Sequence, residues 1–206
     1  MLTSDIISRL KNAGALTDQL PEFGFVPTGS YALNKVISGK YDGGIPIGGV
    51  TQLIGPSSSA KTVLLVSILK EAQRLGYYTA YKDTENALSK SFAKVLGLDP
   101  DQLIYSAPEC IEDAFDALEK TILAIRETDP DTPIVMGFDS IGVCPTRKEW
   151  ESDDYEQTNM DGATRAKVTG ACLRKINPLL RKHKVALVNN LPFDAYRLLI
   201  FHKLIS

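Results

Sequence analysis

Apolar residues recur along this chain in two alternating periods. Residues 3–13 carry Ile6, Ile7 and Leu10 on one helical face, with Thr3 or Ser4 placed to cap and Gly14 to stop the helix. Residues 28–39 read as a two-turn helix between the candidate cap Ser30 and the stop Gly39. Residues 62–75 are apolar nearly all round (Val63, Leu64, Leu65, Val66, Ile68, Leu69, Ala72), which predicts a buried helix ended by Gly76. A short helix over 89–96 stops at Gly97. Phe115, Leu118, Ile122 and Ile125 space a longer one over 111–126, broken by the proline-containing segment 129–133, and a last helix runs over 162–183. Short apolar runs at 50–54, 77–81, 103–106, 134–140 and 185–189 supply strands between them. Strands alternating with helices imply right-handed crossovers and a mostly parallel sheet covered on both faces, a three-layer α/β/α fold. Residues 16–27, with Pro21 and Pro27, read as a connector, and the glycine-rich stretch 43–49 as turns.

Composition narrows this only slightly. A length of 206 residues fits one domain with a sizeable core. Lys and Arg number 23 against 25 Asp and Glu, so the overall balance, -2, announces neither nucleic acid nor membrane, and any DNA-binding surface has to be local. Cys110, Cys144 and Cys172 are odd in number and widely spaced, without metal-ligand spacing, and read as reduced, buried thiols. The first residues lack a basic region followed by an apolar run, and no apolar stretch approaches membrane-spanning length, so a cytosolic location without membrane contact is expected.

The chemistry lies at 50–62. An apolar strand turns at Gly55 into the small-residue loop Pro56, Ser57, Ser58, Ser59, Ala60 and ends in Lys61-Thr62 at a helix start, the layout of a phosphate-binding loop. Backbone N–H groups and the helix N-terminus would face the phosphates, Lys61 would reach the outer ones, and the Thr62 hydroxyl would hold Mg2+. The usual pattern has glycine where Ala60 stands; a left-handed alanine costs roughly 1–2 kcal/mol, less than several charge-assisted hydrogen bonds return. In a parallel sheet, ligands sit beyond the carboxyl ends of the strands, where Asp83, Thr84, Glu85, Asp139 and Ser140 also fall. Phosphoryl transfer to water needs a neutralised phosphate, a metal held by hydroxyl and carboxylate, and a base that orients water, roles open to Lys61, to Thr62 with Asp139, and to Glu85. Each residue alone has a plainer reading, a strand-terminal Asp or a solvated turn.

Taken together, residues 27–30, 55–62, 83–88, 96–99, 139–140 and 188–189 resemble the ATPase core of RecA-type DNA strand-exchange recombinases, a P-loop NTPase fold. Residues 139–142, 147–149, Met160 and 164–167 look closer to the phage UvsX-like branch. The resemblance covers about residues 26–190. It leaves 1–25 as an N-terminal helix and linker, a candidate oligomerisation element, and 191–206 as an atypical tail. It implies ATP and Mg2+ as cofactors, with Lys61 and Thr62 at the phosphates and metal, Glu85 as catalytic base and Asp139 as the second metal residue. Phe92 stands where the family often places an aromatic over the adenine ring, or else faces the core from a short helix. Asn190 stands where the family senses the γ-phosphate. The segment 144–160 matches a first DNA-binding loop, in which Arg147 and Lys148 would contact phosphates of single-stranded DNA, Trp150 or Tyr155 would stack on bases, and Arg165 would assist. By charge alone, with Glu149, Glu151, Asp153, Asp154 and Glu156 among them, the same segment reads as a solvated loop.

By resemblance the sheet order is first, fifth, fourth, second, third strand, which puts the phosphate-loop strand at an edge. Because an exposed apolar edge invites pairing, residues 197–201, residues 44–50 or another copy of the chain are expected to cover it. A natural end or a truncation within 191–206 are both open. The resemblance implies a recombinase core that binds single-stranded DNA and self-assembles head to tail, of phage or bacterial origin. The alternative is a non-catalytic ATP-binding or assembly module. A P-loop kinase of small molecules is disfavoured by the lack of an arginine-rich lid segment after the fourth strand.

Overall fold

The elements begin and end where caps and glycines punctuate the sequence. The computed structural model describes residues 2–13, 23–153, 162–192 and 199–203. Helix α1 spans Leu2–Asn12, followed by the short strand β1 (Phe25–Val26). Helix α2 (Tyr31–Ser38) starts where the Ser30 side chain accepts from Leu33 N and stops at Gly39, whose φ of 75° is left-handed. Strand β2 (Ile45–Pro46) pairs antiparallel with β1, and β3 (Gly49–Gly55) leads into α3 (Lys61–Arg74). Then come β4 (Tyr78–Asp83), α4 (Lys90–Val95) capped by Ser89, a 3-10 turn (Pro100–Gln102), β5 (Leu103–Ser106), α5 (Ile111–Thr128) and β6 (Ile134–Asp139). The chain closes with α6 (Arg147–Trp150), α7 (Gly162–Lys182), β7 (Val185–Pro192) and β8 (Leu199–Lys203).

The main sheet has the order β5-β4-β6-β7-β3-β8. Its first five strands are parallel in the predicted order, and β8 joins β3 antiparallel, from Val50 opposite Lys203 to Ile54 opposite Leu199. Two apolar layers sandwich it. Leu65, Ile68 and Leu69 of α3 pack with Leu53, Tyr81, Val135 and Val188 on one face, while Phe115, Leu118 and Ile122 of α5 and Ile176 and Leu180 of α7 pack with Met136, Phe138 and Leu187 on the other. The α/β/α expectation holds.

The phosphate-loop strand is therefore not an edge: β8, overlapping the predicted 197–201, supplies its neighbour. The expected atypical tail 191–206 thus contributes the end of β7 and all of β8 to the sheet, with residues 193–198 and 204–206 outside the described residues. The 16–27 connector is outside them as far as residue 22, and its remainder contains β1. Strands β1 and β2 are two residues each, too short for a period to register. Helix α6 is one turn, yet its start was written in the sequence: Thr146 accepts from Glu149 N while the Glu149 side chain accepts from Thr146 N, a capping box. All three cysteines are free, as expected; Cys110 and Cys144 are buried, whereas Cys172 is half-buried. Burial pushes the Cys144 thiol up to about 12. Among the described residues no helix is long and apolar enough to cross a membrane.

One buried charge stands apart from this core. Lys82 of β4 is 2 % exposed, its ammonium donates to Thr121 Oγ1 at 3.3 Å, and burial lowers its pKa from 10.5 to about 8. Below pH 8 the folded state carries the full burial penalty; between about pH 8 and 10.5 the unfolded chain holds a proton that the folded chain has released, so this site's contribution to stability rises with pH. Lys82→Met should therefore be more stable than the parent by on the order of 1–3 kcal/mol at neutral pH. That advantage should shrink as urea titrations are repeated up to pH 10.5, and an advantage independent of pH would show that Lys82 is not titrating in this range.

Candidate functional site

Strand β3 ends at Gly55, and residues 56–60 turn back on themselves before α3 begins at Lys61. The turn requires left-handed backbone at two non-glycine positions, Ser58 (φ 59°) and Ala60 (φ 64°). Ala60 is thus the strained residue that its departure from glycine implied, at a cost of roughly 1–2 kcal/mol. It stands at the N-cap of α3 without a side-chain cap, and no acidic residue occupies the first turn, so no carboxylate of the helix itself offsets its positive end. The Lys61 ammonium lies inside the turn, donating to Gly55 O at 2.8 Å and Pro56 O at 2.7 Å.

Thr62, one residue on, meets a partner 77 positions away: its Oγ1 donates to Asp139 Oδ2 at 2.6 Å. The same carboxylate oxygen accepts from the Tyr81 hydroxyl at 2.8 Å. Asp139 is 2 % exposed at the end of β6, opposite Asp83 at the end of β4. Thr84 stitches these ends together: its N–H donates to Asp139 O at 2.8 Å, and its Oγ1 accepts from Ser140 N at 2.9 Å. Ser140 Oγ in turn bonds Glu85 Oε1. Lys61, Thr62, Asp139 and Glu85 are thereby linked along one rim of the sheet, although Glu85 itself is exposed.

Asp83 has a structural assignment. Its Oδ1 accepts from Glu85 N at 3.2 Å and Ala87 N at 3.0 Å, and its Oδ2 from Leu88 N at 3.0 Å and the Tyr105 hydroxyl at 3.1 Å, so it shapes the turn that carries Glu85. Sequence reasoning missed Tyr81 and Tyr105 because alternation marked both only as strand residues. Burial, then Asp139, drives the Tyr81 phenol far above its ordinary range, and burial, then Asp83, raises that of Tyr105.

Asn190 of β7 pairs in register with Leu53, and strand alternation from Val188 puts it on the α3 face, level with Asp139. It is 0 % exposed, and neither side-chain polar atom has a partner; Ser59 Oγ, in the loop, is likewise buried and unpaired. Unsatisfied buried polar atoms cost about 1–3 kcal/mol each. Phe92 sits half-buried on α4 and is in neither buried apolar layer.

The expected DNA segment is held by ion pairs. Arg147 bonds Asp113 Oδ1 at 2.6 Å, and its backbone N–H donates to Glu112 Oε2 at 2.9 Å, both on α5. Arg165 of α7 bonds Glu149 Oε1 at 3.1 Å and Gly142 O at 3.4 Å. Lys148 and Trp150 are exposed, Trp150 by 55 %. Asp154, Tyr155, Glu156 and Met160 lie outside the described residues. Among the described residues no cluster of His, Cys, Asp or Glu forms a metal site on its own.

Residues 13–192 match the family described as RecA N-terminal domain. The chain is 32% identical to Protein RecA of Citrifermentans bemidjiense over 182 residues, 88% of this chain and 49% of that protein. It is 33% identical to Protein RecA of Thermus aquaticus over 163 residues (79% and 44%) and 36% identical to that of Tropheryma whipplei over 151 residues (73% and 32%). The chain spans about half the length, or less, of the curated relatives it matches.

Replacing Ala60 by glycine removes the left-handed strain but adds flexibility to the unfolded chain. Ala60→Gly should raise stability by no more than about 1 kcal/mol, read by thermal melts, and should change the affinity for any nucleotide the loop holds by less than about tenfold, read by titration calorimetry. A switch from no binding to tight binding would contradict the tolerance of alanine at this position.

Proposed function

The chain belongs to the RecA family, and on that premise we propose that it is an ATP-dependent recombinase core that binds single-stranded DNA and hydrolyses ATP. The observation that carries the reading is the 2.6 Å bond between Thr62 and Asp139 directly beside Lys61 and the uncapped start of α3. An ammonium, a set of helix-start amides, a hydroxyl and a buried carboxylate form a donor set suited to a polyphosphate with Mg2+. The unpartnered atoms of Asn190 and Ser59 fit a polar ligand there. Lys61 would leave the Gly55 and Pro56 carbonyls for phosphate oxygens, Gly55 through Ala60 would wrap them, and Thr62 and Asp139 would hold the Mg2+. Bound Mg2+ supplies charge neutralisation on the phosphates. Glu85 is the proposed catalytic base, aimed by Ser140, Asn190 the proposed γ-phosphate sensor, and Phe92 the proposed adenine contact.

Lys148 and Trp150 are the proposed first contacts with single-stranded DNA, a cation beside a stacking surface. Arg147 and Arg165 would join by exchanging Asp113 and Glu149 for phosphates. Residues 26–190 constitute the proposed ATPase core and 1–25 an assembly element. Two features support head-to-tail self-assembly: α1 exposes Ile6, Ile7 and Leu10, and the outer edge strand β5 exposes Ile104 and Tyr105. Similarity of residues 139–142, 147–149 and 164–167 supports placement in the phage UvsX-like branch, with a cytoplasmic setting in a phage-infected or bacterial cell. One observation favours a second reading, a non-catalytic ATP-binding or assembly module: both guanidinium groups of the expected DNA surface are already paired with carboxylates.

Hydrolysis stimulated by single-stranded DNA separates the two, since only the recombinase reading requires it. Glu85→Gln should lower the ATP turnover by about 10²–10⁴-fold while nucleotide binding persists. Unchanged turnover in this variant would remove Glu85 from its role.

A further inference from the structure

Two tyrosines outside the phosphate loop tie the site together. Tyr81 of β4 and Tyr105 of β5 are register partners, with their rings stacked at 6.4 Å between centroids and 7° between planes. Their hydroxyls reach different aspartates at the strand ends. Tyr81 donates to Asp139 Oδ2 at 2.8 Å, the oxygen that also accepts from Thr62; Tyr105 donates to Asp83 Oδ2 at 3.1 Å, the carboxylate that organises the backbone around Glu85. Tyr81 is 0 % exposed, and its ring is accommodated because residue 137 is glycine: a Cβ there would meet Tyr81 Cδ2 and Leu65 Cδ1 at 3.1 Å each.

We infer that Tyr81 and Tyr105 are positioning residues of the nucleotide site, Tyr81 orienting the Asp139 carboxylate toward the metal and Tyr105 holding the turn that aims Glu85. The inference rests on the ATPase reading above. A carboxylate bonded through one oxygen to both a helix-start hydroxyl and a buried phenol has its rotation fixed, so less ordering remains when a cation binds. Because burial and the neighbouring carboxylates raise both phenols, the hydroxyls stay protonated donors throughout the physiological range.

The variants Y81F and Y105F keep the rings and remove only the hydroxyls. The probe is a fluorescent ATP analogue, titrated with Mg2+ and separately in EDTA, alongside steady-state ATP hydrolysis. Y81F should raise the Mg2+ concentration for half-maximal nucleotide binding by about tenfold, with metal-free affinity unchanged within about twofold. Adding it to Asp139→Asn should produce no further shift, because the phenol acts through that carboxylate. Y105F should leave the Mg2+ dependence as in the parent but lower kcat by on the order of tenfold at unchanged KM. Parental Mg2+ dependence in folded Y81F, or parental kcat in Y105F, overturns the inference. Y105F, at a half-exposed position, keeps it open to refutation should Y81F fail to fold. Absence of Mg2+-dependent nucleotide binding in the parent protein would instead overturn the ATPase reading on which it rests.

Discussion

One buried oxygen, Asp139 Oδ2, joins three elements: it takes a hydrogen bond from Thr62 at the start of α3 and another from Tyr81 on β4, while its own residue ends β6. A carboxylate this deep is tolerable only because it is so bonded. Its position fixes the distance from the phosphate loop to the central strands, and its backbone carbonyl anchors Thr84 and with it the turn of Glu85. The loop, the Asp139 carboxylate and the turn of Glu85 form one connected network. Disturbing the Asp139 end therefore reaches both the loop and the turn.

The sheet makes that network possible and also sets its limits. Parallel strands deliver their carboxyl ends to one rim, so residues as far apart as 62 and 139 meet without a long loop. The rim needs rigid strands beneath it. Strand β3 gets this from two neighbours, β7 on one side and β8 on the other, which removes an apolar edge directly under the phosphate loop. Among the described residues the opposite edge, β5, has no further strand beside it, with Tyr105 both half-exposed there and bonded to Asp83. The surface proposed for self-assembly is thus one residue removed from the proposed base turn.

Much of this could be read from the sequence. Periodicity and glycine stops placed the five parallel strands and most helices, because each is long enough to show its period and is bounded by a cap or glycine such as Ser30, Gly39, Gly76 and Gly97. Lys61, Thr62, Glu85 and Asp139 were legible through motif and strand-end position. The two-residue strands β1 and β2 left no period, and β8 was foreseen only as cover for an edge. Tyr81 and Tyr105 were invisible as site residues, because a hydrogen bond between side chains on neighbouring strands depends on register, and no local pattern encodes it. Arg147 and Arg165 were expected to contact DNA, and their ion pairs with Asp113 and Glu149, 34 and 16 positions away, were not legible in the sequence.

In the proposed function, Thr62 and Asp139 form the metal side of a nucleotide site whose phosphates lie over Lys61. Crystallising the protein with Mn2+ and a non-hydrolysable ATP analogue tests it most directly, because the ion's anomalous signal locates it independently of the surrounding density. A single strong peak is expected between Thr62 Oγ1 and the Asp139 carboxylate, with the Lys61 ammonium moved from the Gly55 and Pro56 carbonyls onto phosphate oxygens. A nucleotide bound elsewhere, or a peak away from that pair while Lys61 stays on its carbonyls, would contradict it.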